Sequence, residues 1–232
     1  MTNKKNAIIL CSGGLDSVVT AYYVKNKLKY SKLIILFFNY GQRTIKSERK
    51  FSRKCAEDLN VEFKEIKLEE LNKISTSIIN TNRKAKKISR EDLKNTRKES
   101  NKFYVPLRNT VFLVYAIALA ESLFIKQKNI YEIFVGFKNE GNESYPDTTN
   151  KYVKEINNLI KITTNGNFIV KAPLINKDKE DIINLGTKLG VKFTHTHSCY
   201  ISNIPCGTCL SCMLRKEGFY WSGIKDQTKY NS

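Results

Sequence analysis

A chain of 232 residues with 41% hydrophobic content can bury one sizeable α/β core. It has no run of about 18 apolar residues and opens on a short polar stretch, Met1–Asn6, so neither a membrane span nor a secretory leader is expected and the reading is a soluble, cytoplasmic protein. Forty Lys and Arg against 22 Asp and Glu give a formal charge of +18, which suits a polyanionic partner such as nucleotide phosphates or RNA, although a Lys-, Asn- and Ile-rich composition supplies much of it.

In chain order, Ala7–Cys11 is a short apolar run that predicts a buried parallel strand, and Asp16 to Leu28 follows with a helical pattern. Leu33–Phe38 predicts a second strand, Ile45–Leu59 an amphipathic helix and Val61–Leu68 a third strand. This alternation predicts an α/β fold, a parallel sheet of about five strands with helices on both faces. Residues 80–102 break the rhythm: they are polar and basic, and predict a mobile insertion that could close over a site. Thr110–Phe124 predicts a buried helix, Ile130–Val135 a fourth strand, Lys151–Ile162 a helix and Phe168–Ala172 a fifth strand. Lys179–Leu189 predicts a last helix with Gly190 as its stop. Residues 1–190 then form the main domain, and 191–232 a cysteine-bearing segment packed on it.

Two motifs carry chemistry. The first strand ends in Ser12-Gly13-Gly14-Leu15-Asp16-Ser17 and runs into a helix. Glycines there allow positive φ and leave no Cβ in the way, so backbone N–H groups and the helix N-terminus can face phosphate oxygens. Ser12 and Ser17 add hydroxyl donors, and Asp16 can cap the helix or hold a Mg²⁺ that bridges phosphates. Neither a Gly-Lys-Ser/Thr nor a Gly-x-Gly-x-x-Gly pattern is present. The second motif is Cys199, Cys206, Cys209 and Cys212, four thiols at loop spacing with Gly207 for a tight turn. Four sulfurs suit a closed, structural Zn²⁺ site, with an iron–sulfur cluster as the rival. Cys11 and Cys55 stand alone in apolar settings and read as core residues. His195 and His197, just upstream of the cysteines, could be ligands, catalytic groups or packing.

Ser12–Ser17 resembles the phosphate loop of the ATP-α-hydrolysing superfamily. Further pieces fit in order: Tyr40-Gly41-Gln42-Arg43 with Glu48 after it, Val105-Pro106-x-Arg108-Asn109, Tyr145-Pro146-Asp147, Pro173-Leu174 before Lys179, and the cysteines followed by Arg215 and Gly218-Phe219. Together they resemble the 7-cyano-7-deazaguanine synthase family nearly end to end. The resemblance implies an adenine-nucleotide α-hydrolase-like fold with a zinc lobe, in which ATP activates the carboxylate of 7-carboxy-7-deazaguanine and ammonia displaces AMP. A second activation of the amide gives the nitrile. It implies Cys11–Ser17, Asn39, Tyr40, Gln42 and Arg43 as ATP-binding, and Asp16, Ser17 and Lys179 as catalytic. Arg108, Asn109, Gly136, Tyr145 and Asp147 would bind the substrate, the four cysteines would hold Zn²⁺, Mg²⁺ would accompany ATP, and the assembly would be a homodimer.

The departures gather on the substrate side. The family usually has Gly at Leu107 and His at Thr44, and its acid, small residue and base around 141–149 are replaced by Gly141, Thr148 and Thr149. One alternative is therefore a divergent paralogue that uses the same adenylation to join a deazaguanine or another carboxylate to a protein or nucleic-acid amine; drift compensated by Glu140 or Glu143 is the plainer account. A non-enzymatic zinc-knuckle RNA binder is a third reading, opposed by the intact Ser12–Ser17 loop.

Overall fold

The computed structural model describes residues 5–138 and 145–231. Five parallel strands form one sheet: β1 (Asn6–Leu10), β2 (Lys32–Asn39), β3 (Glu62–Lys67), β4 (Tyr131–Phe134) and β5 (Val170–Lys171), in the order β3-β2-β1-β4-β5. The fifth strand is shorter than the sequence predicts, and Pro173, which has no N–H to donate, follows two residues after it.

Helices cover both faces. They are α1 (Leu15–Tyr22), α2 (Ile45–Leu59), α3 (Glu70–Ile74), α4 (Arg97–Ser100), α5 (Arg108–Gln127), α6 (Asn150–Thr163), α7 (Lys179–Lys188) and α8 (Leu210–Ser222). Alternate strand residues point to opposite faces, so each strand feeds two cores. Ala7, Ile9, Leu33, Ile35 and Phe134 pack with α1, α2 and α7. Ile8, Ile34, Leu36, Ile133 and Val170 pack with Leu113, Ala116, Ile117 and Ala120 of α5 and Ile156 and Ile160 of α6. This double burial is why β1 and β2 read as continuous apolar runs.

α5 is long and apolar enough to pass a length-and-composition test for a membrane span, a test that core helices of globular folds also pass. Here it lies along the sheet, with Leu113, Ala116 and Ala120 fully buried. Its outer side leaves Val114, Tyr115 and Ile125 exposed.

The 80–102 stretch, expected to be a mobile insertion, carries short helical turns over 91–103 and packs on the cysteine segment. Ile88 and Phe103 are buried with Ile78, Ile79 and Leu210, and the Ile88 N–H donates to the Thr208 carbonyl at 2.8 Å. Few apolar side chains suffice here because the segment covers an existing core rather than making its own. Glu140, Gly141 and Glu143 lie outside the described residues.

Candidate active site

β1 lies between β2 and β4, and the chain winds away from it in opposite directions on the two sides. Such a switch point opens a crevice beyond the carboxyl ends of the strands. A cavity of about 290 Å³ lies there, walled by Cys11–Ser12 and Gly14–Ser17 after β1 and by Val135–Lys138 after β4. Lys179, Arg108, Asn109, Tyr40 and Tyr145 complete the parts of the wall foreseen from sequence.

The loop shape is set by its backbone. Gly13 sits at φ +75°, where a Cβ would lie 2.7 Å from the Ser52 amide nitrogen and 2.8 Å from the Glu48 carbonyl oxygen, so only glycine fits. Gly14 caps α1. The Ser17 hydroxyl donates to the Gly14 carbonyl at 3.0 Å, and Ser12 Oγ accepts the Gly14 N–H at 3.3 Å. Asp16 stands in the first turn of α1, and Lys179 Nζ, from the first residue of α7, meets both of its oxygens at 2.7 Å. Sequence reasoning assigned both residues roles but did not foresee that they pair. Gly136 touches the same helix start: a Cβ there would lie 2.9 Å from Ser17 N and Cα. Hydrogen bonds from the Cys55 and Ser17 side chains outweigh burial at Cys11 and bring its thiol down to about 7.

The opposite wall is aromatic and basic. Phe38 and Phe112 stack with centroids 4.2 Å apart and rings 3° from parallel. Arg108 lies over the Tyr40 ring at 5.6 Å and donates to its hydroxyl at 3.3 Å. Burial pushes the Tyr40 phenol up to about 12, so it stays a neutral partner. Tyr145 stacks on Tyr104 and donates to the Ser100 carbonyl at 2.8 Å, and Thr96 and Ser100 bring the 80–102 stretch onto the wall.

Several foreseen residues frame the cavity without lining it. Gln42 is buried, donating to the Phe38 carbonyl at 3.1 Å and accepting the Tyr40 N–H at 2.9 Å. Asn39 accepts the Gly41 N–H, and Arg43 donates to the Thr81 and Arg83 carbonyls. Asp147 is buried and accepts the Asn109 N–H at 3.3 Å, at the start of α5. Leu107, where the resemblance expects Gly, adopts the left-handed φ 53°, ψ 16° at the N-cap of α5. Thr44 is fully buried and donates to Glu48 at 2.5 Å. Thr149 caps α6 by accepting the Tyr152 N–H.

Glu48 also lines the cavity; the sequence marked it as part of the resemblance, after Tyr40–Arg43, without giving it a role. His197 was left open. Its ring stacks on Phe51, burial brings its imidazole down to about 4, and its backbone N–H donates to the Gly13 carbonyl at 2.8 Å, so the C-terminal segment latches the loop. His195 pairs instead with Asp58 of α2 at 2.6 Å.

The four cysteines meet as foreseen. All four Sγ atoms lie within 4.8 Å of one another, with Cys199–Cys209 at 3.9 Å and Cys206–Cys212 at 4.0 Å, and none is in a disulfide. Tetrahedral Zn–S bonds of about 2.3 Å put sulfurs about 3.8 Å apart, so the donor set and spacing fit that ion.

Fold and site together define an α/β protein with a five-stranded parallel sheet, a glycine loop after its central strand and a four-thiol C-terminal segment. Residues 6–223 match the family described as queuosine biosynthesis protein QueC. Proteins named 7-cyano-7-deazaguanine synthase align almost end to end. The one from Methanosphaera stadtmanae is 35% identical over 231 residues, 98% of this chain and 99% of its own. Those from Nitratiruptor sp. and Methanocaldococcus jannaschii are 37% and 33% identical, each over 97% of this chain and 99% and 98% of their own. The chain belongs to the QueC family.

Proposed function

We propose that this protein is a 7-cyano-7-deazaguanine synthase: it uses ATP to activate the carboxylate of 7-carboxy-7-deazaguanine and ammonia to convert it, through the amide, to the nitrile. The observation that carries the reading is the shared cavity. A loop of backbone donors, Ser12–Ser17, faces an aromatic, arginine-bearing wall across one small space. The near-complete alignment to synthases adds support.

In this reading the loop amides, both serine hydroxyls and the positive end of α1 bind the ATP phosphates. Lys179 opposes charge that develops on departing pyrophosphate. Asp16 holds Lys179 in place and keeps lone pairs free for a phosphate-bound Mg²⁺, which usually takes only one or two carboxylates. Arg108 meets the substrate carboxylate, and Phe38, Phe112 and Tyr40 offer flat faces for a planar ring. Zn²⁺ at Cys199, Cys206, Cys209 and Cys212 is structural, since four protein sulfurs leave no open position. The resemblance also carries a homodimer, and the exposed apolar side of α5 is a candidate seat for the second copy. The replacements at Thr44 and Thr149 each find a local hydrogen-bond role, which favours the synthase over a paralogue with another acceptor.

The test supplies 7-carboxy-7-deazaguanine, ATP, Mg²⁺ and ammonia, with AMP and nitrile followed by mass spectrometry. Both products are expected. AMP without nitrile would favour an altered acceptor, and no AMP would sink the adenylation reading. Asp16→Asn is expected to lose AMP formation while keeping about one zinc per chain.

A further inference from the structure

Glu48 is a carboxylate where an ATP-phosphate cavity would not be expected to carry a spare one. It sits on α2, between the loop and the Arg108 wall, and lines the cavity. It is only half-buried, although protein surrounds it, because part of its surface opens inward. Its two oxygens are held apart in role: Oε1 accepts from Thr44 at 2.5 Å, Oε2 from Gln42 Nε2 at 3.0 Å. Gln42 and Thr44 are themselves buried, so the carboxylate is fixed rather than swinging. Each oxygen keeps a lone pair to offer a small cation in the cavity. No salt-bridge partner satisfies it at close range among the described residues; Arg108 and Tyr40 are the ionisable groups that face it.

From this geometry we propose that Glu48 binds ammonium in the cavity and takes the proton that ammonia must shed before it can attack. This rests on the adenylation reading above. Ammonia reaches a neutral-pH enzyme mostly as ammonium, which has no free electron pair. The ammonium N–H proton passes to the Glu48 carboxylate. The freed pair forms the C–N bond at the activated carbonyl carbon, the C–O bond to AMP breaks, and AMP leaves with that electron pair. The extra proton of the attached nitrogen then goes to solvent. Burial, the largest influence on Glu48, raises its pKa against the hydrogen bonds from Thr44 and Gln42, and so makes the carboxylate a stronger base. Thr44 suits the role: it fixes one oxygen without bringing a second ionisable group to the base.

The experiment compares wild type with Glu48→Gln using two nucleophiles, ammonium and hydroxylamine. Hydroxylamine is largely unprotonated at neutral pH and needs no base to expose its lone pair; its product is the hydroxamate. Substrate-dependent exchange of pyrophosphate into ATP reports the first adenylation separately. The expected result is a fall in kcat/KM for ammonium of about 10²–10⁴-fold, with hydroxylamine turnover and pyrophosphate exchange retained. Equal losses with both nucleophiles while exchange persists would overturn the role of Glu48 and leave adenylation standing. Absence of exchange in the wild type would overturn both. Should Glu48→Gln lose its fold by circular dichroism, Glu48→Asp is read the same way: it keeps the carboxylate but withdraws it by one carbon, so a selective loss with ammonium supports the proposal and equal losses refute it.

Discussion

The phosphate loop and the cysteine segment come from opposite ends of the chain and meet at one cavity, yet they are built by different means. The loop takes its shape from main chain: Gly13 sits where no Cβ fits, and neighbouring backbone and hydroxyl groups satisfy one another. The cysteine segment takes its shape from four side chains that converge on a point. Damage to the loop should therefore harm chemistry while sparing the fold, and damage to the thiols should do the reverse first.

The largest expected effect tests that contrast. Cys209→Ser, or a strong chelator, removes a site worth about 10–16 kcal/mol in model zinc peptides, against about 5–15 kcal/mol for a whole domain. Thermal denaturation should show at least the C-terminal segment lost, and metal analysis should find zinc gone. Unchanged melting with zinc absent would break the comparison.

The next change strikes the same segment away from the thiols. Arg215 is 2% exposed and donates to Asp226 at 3.1 Å, to Thr196 at 2.7 Å and to the Phe193 carbonyl at 3.0 Å. Asp226→Ala leaves that guanidinium buried without its counter-charge, at a cost of about 3–5 kcal/mol measurable by urea unfolding. The pair also predicts a pH dependence. Burial opposes the Asp226 charge, but Arg215, Tyr230 and Thr228 outweigh it and hold the carboxyl below its ordinary range. Its contribution is thus complete above the unfolded carboxylate value and fades as pH drops through the lower, folded one. Wild type should lose stability on that acid side, and Asp226→Ala should show less of the loss.

Gly136→Ala sharpens the loop side. Its Cβ would press the Ser17 backbone, so β4 and α1 must separate, at about 1–3 kcal/mol for an overpacked contact. AMP formation should fall further than stability, with zinc content unchanged. The smallest effect runs the other way. Leu107→Gly relieves a left-handed residue and should stabilise by about 1 kcal/mol; a lower melting temperature would show that the leucine side chain contributes more than its backbone costs.

Much of the fold was legible because the central strands β1 and β2 are buried on both sides and several helices begin or end on a glycine or asparagine. The α2 bounds, Ile45–Leu59, follow from its apolar spacing. Strand order was not legible, since it depends on which way each crossover turns and no local pattern records that. The packing of 80–102 was hidden for a similar reason: Ile88 and Phe103 are too sparse to announce a core, and count only because Leu210 lies far along the chain. The glycine loop and the thiols carried their own geometry in residue type. Glu48 was named but given no role, because a glutamate on an amphipathic helix looks solvated until the fold turns it inward. The roles expected of Gln42 and Asp147 blurred likewise: a polar residue named in a motif can face the cavity or brace the backbone behind it, and only three dimensions separate the two.

The bond from His197 to Gly13 has a consequence for how the protein is made. A ribosome makes the loop well before the segment that latches it. Until residues 197–212 emerge and fold, the loop has sequence but no clasp, so a chain cut before His197 should expose an unfinished pocket rather than a weakened one. Folding of the cysteine segment and shaping of the cavity are thereby coupled.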